Sequence, residues 1–262
     1  MRFKTIAVAA TIGVTLLAGA GTTSAQQMTA ELFPDKDATL IEAPPNNASG
    51  SSPLIFIGTV GFGGGNSKRR ALISFDIGGS SIPSDATITD ATLTLFLERG
   101  GGAASTITLH RLLADWGEGP STSGRGRCEL AVTGDSTWDD RFYMESAWAA
   151  PGAEADTDYV ADASAEQSVS ALAASVDVIW SDLATDVEFW LDNPESNFGW
   201  IMIGSTTSGS AKRFSSREAV GPDQLPLLSV TYEVPEPAAV WAGLTALATL
   251  AALRARCSPY RR

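Results

Sequence analysis

Side chains that switch between apolar and polar at every position can bury only one face of an extended strand, and this chain repeats that pattern along most of its length. Ala91 to Leu97 sets Leu93, Leu95 and Leu97 on one face and Thr92, Thr94 and Phe96 on the other. Arg70 to Ile77 does the same with Ala71, Ile73, Phe75 and Ile77, and Thr106–His110 alternates again. Further strands are expected at Ala38–Glu42, Leu54–Gly58, Phe198–Gly204, Arg213–Arg217 and Leu227–Tyr232. Gly, Pro, Asn and Ser clusters such as Ile82-Pro83-Ser84-Asp85 divide them. One segment keeps a helical period. Leu183, Val187, Trp190 and Leu191 form one apolar stripe within Ser181–Leu191, Ser181 and Asp182 suit its start, and Asn193-Pro194 stops it. The expectation is an all-β jelly-roll sandwich with one short helix, forming a single domain over 26–233.

Both ends depart from this pattern. Arg2 and Lys4 precede an apolar run from Ile6 to Ala20, and Thr23-Ser24-Ala25 offers small residues for cleavage. That is the layout of a secretory signal peptide over residues 1–25, with signal peptidase as a partner in export. At the other end Pro235-Glu236-Pro237 leads into an uncharged stretch from Ala238 to Leu253, then Arg254, Arg256, Arg261 and Arg262. Such a stretch spans ~24 Å as a helix, a little under a ~30 Å hydrocarbon core. The segment 234–262 therefore reads as a hydrophobic membrane helix whose arginines stay on the cytoplasmic side. The three-part order resembles the PEP-CTERM sorting signal of exopolysaccharide-producing Gram-negative bacteria. The resemblance implies transient membrane insertion, recognition by an exosortase at Pro235, Glu236, Pro237, Arg254 and Arg256, and delivery to the cell surface. A tail that stays in place as an ordinary anchor is the alternative.

Charge and rare residues exclude several chemistries. Six of the 18 basic residues and one of the 30 acids lie in the end segments, which leaves 12 basic and 29 acidic residues, net −17, for the body. A body so acidic repels phosphate backbones, so nucleic acid is not a partner. His110 is the single histidine, which rules out sites built on several imidazoles. Cys128 and Cys257 are the two cysteines, and only Cys128 lies in the body, so no internal disulfide is expected there. Gly61-Phe62-Gly63-Gly64-Gly65 lacks the Lys-Ser/Thr of a phosphate loop, and no Gly-x-Ser-x-Gly elbow or zinc motif occurs.

Binding chemistry has more to work with. The region from Ala114 to Ala165 is irregular and rich in Gly, Asp and Ala, and reads as long loops with two inserted strands. It carries Trp116, Trp138, Tyr143, Trp148 and Tyr159, flat faces of the kind that stack on pyranose rings. Arg213 and Arg217 would share a face of one strand and offer forked donors to hydroxyls or carboxylates, with Lys68, Arg69 and Arg70 as a second basic group. Trp190 and Trp200 are expected in the core. Beyond structural calcium no cofactor is called for. Asp35, Asp37, Asp223, Asp135, Asp139, Asp140, Asp156, Asp158 and Asp162 offer hard oxygen ligands, but none at EF-hand spacing, so the metal question stays open.

Several short motifs then fall in one order. They are Asp37-Ala38-Thr39-Leu40, Leu54-Ile55-Phe56-Ile57-Gly58, Arg69 to Ile77, Ile82-Pro83 and Ala86 to Leu95. Asp115-Trp116-Gly117-Glu118-Gly119, Trp190 to Pro194, Phe198-Gly199-Trp200 and Arg213-Phe214-Ser215-Ser216-Arg217-Glu218 follow. This order resembles the DNRLRE domain and covers about residues 30–232. The resemblance implies a secreted jelly roll related to carbohydrate-binding modules of the CBM96 type, some of which bind uronic-acid polysaccharides. The expected function is thus a non-catalytic, exported cell-surface protein that binds extracellular polysaccharide. A purely structural surface protein and a polysaccharide-degrading enzyme are the alternatives, the latter because paired carboxylates are easily found among 29 acids.

Overall fold

A computed structural model describes residues 26–235, apart from 103, 123–128 and 172–173. The expected signal peptide and the sorting segment from Glu236 onward lie outside the described residues, as do Cys128 and Cys257. Gln26–Val234 forms one compact unit. Among the described residues no helix is long and apolar enough to cross a membrane.

The strands in chain order are β1 (Gln26–Leu32), β2 (Lys36–Ile41), β3 (Asn47–Ala48), β4 (Leu54–Thr59) and β5 (Lys68–Ser74). Then come β6 (Thr87–Arg99), β7 (Ser105–Arg111), β8 (Glu129–Leu130), β9 (Asp140–Phe142), β10 (Ser146–Ala147) and β11 (Ala165–Val169). The last are β12 (Val176–Trp180), helix α1 (Ala184–Asp192), β13 (Trp200–Ile203), β14 (Lys212–Ser215) and β15 (Leu227–Val234). Each expected strand is present, and the described residues form an all-β sandwich with one short helix. The expected strand Arg213–Arg217 ends sooner, at Ser215, and the helix starts later than Ser181. Asp182 sits at φ 66° and Leu183 occupies the N-cap, so neither Ser181 nor Asp182 caps the helix.

Eleven antiparallel strands make one continuous sheet that curls into two layers. Its path runs β1-β15-β6-β14-β4-β5-β13-β7-β11, with β12 on β6 and β2 on β5. The front layer holds β1, β15, β6, β12, β14 and the start of β4. The back layer holds β2, β5, β13, β7 and β11. The corner lies in β4: Leu54–Ile57 pair with β14, while Gly58 and Thr59 pair with Arg69 and Lys68 of β5. Gly58 turns it at φ 109°, where a Cβ would stand 3.1 Å from the Ala211 Cα, so glycine is required on both counts.

Between the layers lies the main core. Ile55, Ile57, Ile73, Leu93, Leu95, Leu97, Ile107, Leu109, Phe214 and Leu228 are fully buried there. The faces predicted from alternation are the faces buried. Helix α1 closes one end with Val187, Trp190 and Leu191. Trp190 packs edge-on against Trp200 at 4.6 Å, and Trp200 donates from Nε1 to Asp186 at 2.7 Å. Both tryptophans are core residues, as their spacing predicts.

A second core lies on the far side of the back layer. Ala38, Leu40, Leu72 and Ile201 point away from the front layer and meet Leu112, Trp116, Trp138, Trp148, Ala153 and Tyr159. Within Ala114–Ala165, predicted as loops with two strands, the described residues carry the β9–β10 hairpin and β8, and those around Trp116, Trp138, Trp148 and Tyr159 pack as a third layer. Runs such as Ala71-Leu72-Ile73 and Trp200-Ile201-Met202 fit this arrangement, because a strand covered on both faces is apolar at every position.

Candidate functional site

The tryptophans proposed as sugar platforms are closed to a ligand. Trp116, Trp138 and Trp148 are 1%, 6% and 4% exposed. Trp116 donates from Nε1 to the Phe198 carbonyl at 2.9 Å, and the Lys36 ammonium sits 4.6 Å above its ring. Trp148 donates from Nε1 to the Thr137 carbonyl at 3.0 Å. Trp138 lies under the Arg70 guanidinium at 5.4 Å, and Arg70 donates to the Gly152 and Ala153 carbonyls. These rings hold the third layer on the back sheet, which corrects their expected role. Tyr143 is half-buried beside the β9–β10 hairpin, its N–H donating to the Asp135 carbonyl at 2.7 Å. The acid-rich loops are stitched in a similar way. Asp135 accepts from Ser121 and the Val132 N–H, and Asp158 from the Ala149 and Glu154 N–H groups.

Arg213 and Arg217 do not share a face. β14 ends at Ser215, and Arg217 falls in the turn beyond it, so the two arginines enter different networks. Arg213 stands on the outer face of the front layer, because its neighbour Phe214 fills the core. Its cross-strand neighbours are Phe56 on β4 and Arg99 on β6. The register shifts between Arg213 and Phe214, whose partners are Arg99 and Leu97. This bulge sets Glu98 and Arg99 together against Arg213, which re-aims Arg99 from the inward face that strict alternation would give it. Phe56, Arg99, Lys212 and Arg213 thereby line one groove of about 340 Å³ with Val60 and Gly209. Its guanidinium donors are largely uncommitted. Arg213 reaches Glu98 at 3.6 Å, beyond hydrogen-bond distance, and the Arg99 side chain has no ion pair or hydrogen bond among the described residues. The buried Lys212 Nζ donates to the Gly101 carbonyl at 2.6 Å, and burial pulls its pKa below the usual lysine value. Sequence reasoning missed Phe56, which the regular β4–β14 pairing sets opposite Arg213, and Arg99, which the bulge in the β6–β14 pairing brings there.

Arg217 belongs to a cluster of three carboxylates. It donates to Glu118 from Nε at 2.7 Å and from Nη2 at 3.1 Å, and its Nε lies 2.8 Å from Glu218 Oε1. Its backbone N–H donates to Asp37 Oδ2 at 2.7 Å. Glu118 also accepts from the Asp37 N–H at 2.8 Å. One ligand oxygen from each of Asp37, Glu118 and Glu218 lies within 4.8 Å of the other two. Asp37 is fully buried, which pushes its carboxyl pKa well above the ordinary value; the Arg217 N–H acts against this and the Glu218 and Glu118 charges with it. Burial likewise raises Glu218. The Glu118 loop is set by flanking glycines. A Cβ on Gly117 would lie 2.1 Å from the Gly134 carbonyl oxygen, and one on Gly119 would lie 1.9 Å from Asp135 Oδ1. Of the acids read as calcium candidates, Asp37 alone joins this cluster, and its partners are glutamates remote in sequence. Asp35 instead accepts from Ser74 Oγ at 2.6 Å.

His110 is held on both nitrogens. Nδ1 lies 3.0 Å from the Val160 carbonyl and Nε2 2.9 Å from Thr108 Oγ1, with Tyr159 edge-on to the ring. Comparison with known proteins adds no assignment: no family model matches the chain, and no curated protein matches it.

Proposed function

We propose that this is an exported bacterial surface protein, sorted by a PEP-CTERM-like tail, whose DNRLRE-like sandwich binds an acidic extracellular polysaccharide without catalysis. The observation that carries the binding half is the Phe56–Arg213–Arg99 row on the outer face of the front layer. An aromatic ring beside two guanidinium groups suits a uronic-acid chain. The ring meets the apolar face of a pyranose, and each planar fork can bind a carboxylate with two donors. The Arg99 and Arg213 guanidinium groups against Glu98 also make this groove locally positive on a strongly acidic body. The carbohydrate site thus sits on the front layer rather than on the tryptophan-bearing segment. The export half is supported by the order of the two end segments in the sequence. The exosortase and signal peptidase act on those ends, and the mature protein resides at the cell surface within exopolysaccharide.

Affinity electrophoresis of the full chain through gels containing polygalacturonate, alginate or a neutral glucan tests the binding half. The acidic gels retard the protein, and retardation weakens with salt because the contacts are charged. Arg99→Ala with Arg213→Ala reduces affinity by tenfold or more, about the effect of losing 1.4 kcal/mol. Equal retardation of the double variant moves the site elsewhere. No saturable retardation in any gel makes a ligand-free structural protein the better reading.

A further inference from the structure

The charge inventory of the Asp37 cluster is unbalanced in a particular way. Three carboxylates face one guanidinium, and that guanidinium is 37% exposed at the rim, with Glu118 and Glu218 only 17% and 25% exposed. The deepest member is the least satisfied. Asp37 Oδ2 accepts the Arg217 N–H, but Oδ1 is buried with no hydrogen-bond partner. A buried carboxylate oxygen without a donor is costly, and in native proteins such atoms are rare unless a water or an ion completes them. Oxygens of Glu118 and Glu218 lie within 4.8 Å of a carboxylate oxygen of Asp37, so two further acids stand beside this buried group.

We propose that Asp37, Glu118 and Glu218 bind one calcium ion, which ties the third layer to the sandwich. Three oxygens mutually within 4.8 Å share a point no more than about 2.8 Å from each, so a slight closure reaches the ~2.3–2.6 Å of calcium–oxygen bonds. All three donors are hard carboxylate oxygens and none is nitrogen or sulfur, which suits calcium and not zinc or copper. The net charge of the three acids and Arg217 is −2, which a divalent ion cancels. Calcium is preferred to magnesium because it accepts irregular and bidentate carboxylates, whereas magnesium keeps a rigid shell of waters.

The three ligands also join separate parts of the fold. Asp37 lies on β2 at the edge of the back layer, Glu118 in the third layer and Glu218 in the turn that follows β14 of the front layer. Glu118 is fixed between Gly117 and Gly119, neither of which tolerates a Cβ. A cation there connects all three layers at one point, next to the loop that seats Trp116. The site is separate from the Arg213 groove and stands whether or not that groove binds a glycan.

Titration of the full chain with calcium chloride, after treatment with a chelator, tests this by calorimetry and thermal melting. One equivalent binds per chain, and a 100-fold excess over Kd raises Tm by roughly 5–10 °C. Asp37→Asn keeps the side-chain volume but removes the charge, and abolishes both signals. Glu218→Gln, at the rim and remote from the core, weakens binding at least tenfold and covers the case in which Asp37→Asn fails to fold. Arg217→Gln tightens calcium roughly tenfold, since a competing positive charge a few ångströms away is removed. Absence of any calcium heat and Tm shift in the unaltered chain overturns the proposal. Undiminished binding in Glu218→Gln, or weaker calcium binding in Arg217→Gln, also overturns it and leaves a closed ion-pair network.

Discussion

Trp116→Ala separates an anchoring role from a sugar-stacking one. The indole is 1% exposed, so the substitution removes a side chain that contacts protein on all sides. Burial of about 200 Å² at 25 cal/mol per Å² contributes about 5 kcal/mol, and measured Trp→Ala costs of 3–5 kcal/mol agree. The Phe198 carbonyl also loses the Nε1 donor at 2.9 Å, and Lys36 loses the ring beneath it. At about 2–4 °C per kcal/mol for a unit of this size, Tm falls by roughly 6–20 °C. Differential scanning calorimetry reads the shift, and affinity electrophoresis well below the lowered Tm reads the binding. Trp116→Phe keeps most of the packing and loses the donor, for a smaller cost of about 1–3 kcal/mol. A variant Trp116→Ala with unchanged Tm and lost glycan binding would refute the assignment of this ring as an anchor.

Glu42 makes a second test through pH. Its partial burial raises its pKa, but the Lys68 ammonium and N–H, each 2.8 Å away, outweigh that and hold it below the ordinary value of 4.5. A folded-state pKa below the unfolded one adds stability above the unfolded pKa, and that stability is lost as pH falls through the folded one. Glu42→Gln therefore has a lower Tm than the unaltered protein at pH 7, and the gap closes on acidification below 4.5; a gap constant with pH contradicts the pairing. Gly119 and Gly134 form a matched pair, both at positive φ, 69° and 94°. Gly134→Ala meets open space and costs only the backbone strain of about 1–3 kcal/mol, whereas Gly119→Ala adds a clash with Asp135. Chemical denaturation giving equal costs for the two means that the loop relaxes freely around Glu118.

The parts of the fold visible in the sequence were those with local causes. Leu93, Leu95 and Leu97 alternate with polar partners, and a strand with one buried face follows wherever that occurs. The helix stripe through Val187, Trp190 and Leu191 is equally local. β11 was not apparent because Ala165–Val169 is short and mostly polar, and its place is set by pairing with β7. The fate of Trp116, Trp138 and Trp148 depended on Leu72 and Ile201, apolar residues at positions that a one-sided sheet would leave polar. Read together, those runs imply a cover over the back layer. The Arg213 groove was half legible: Arg213 stood out as a rare cation, while its pairing with Arg99 rests on a bulge no periodicity encodes. The Asp37 cluster joins residues separated by 81 and by 100 positions in the chain, so only the folded register brings them together.

The asymmetry between the two layers also governs how such a protein can change over generations. On the back layer the outward positions beneath the third layer are interior positions, so a substitution at Leu72 or Ile201 must be matched by one among the tryptophans above it. On the front layer Phe56, Arg99 and Arg213 border solvent, where single replacements usually shift stability by no more than ~0.5 kcal/mol. New side chains can therefore be tried on that face one at a time while the rest of the molecule stays folded. Descendants of one scaffold can diverge in what they hold without first acquiring compensating mutations.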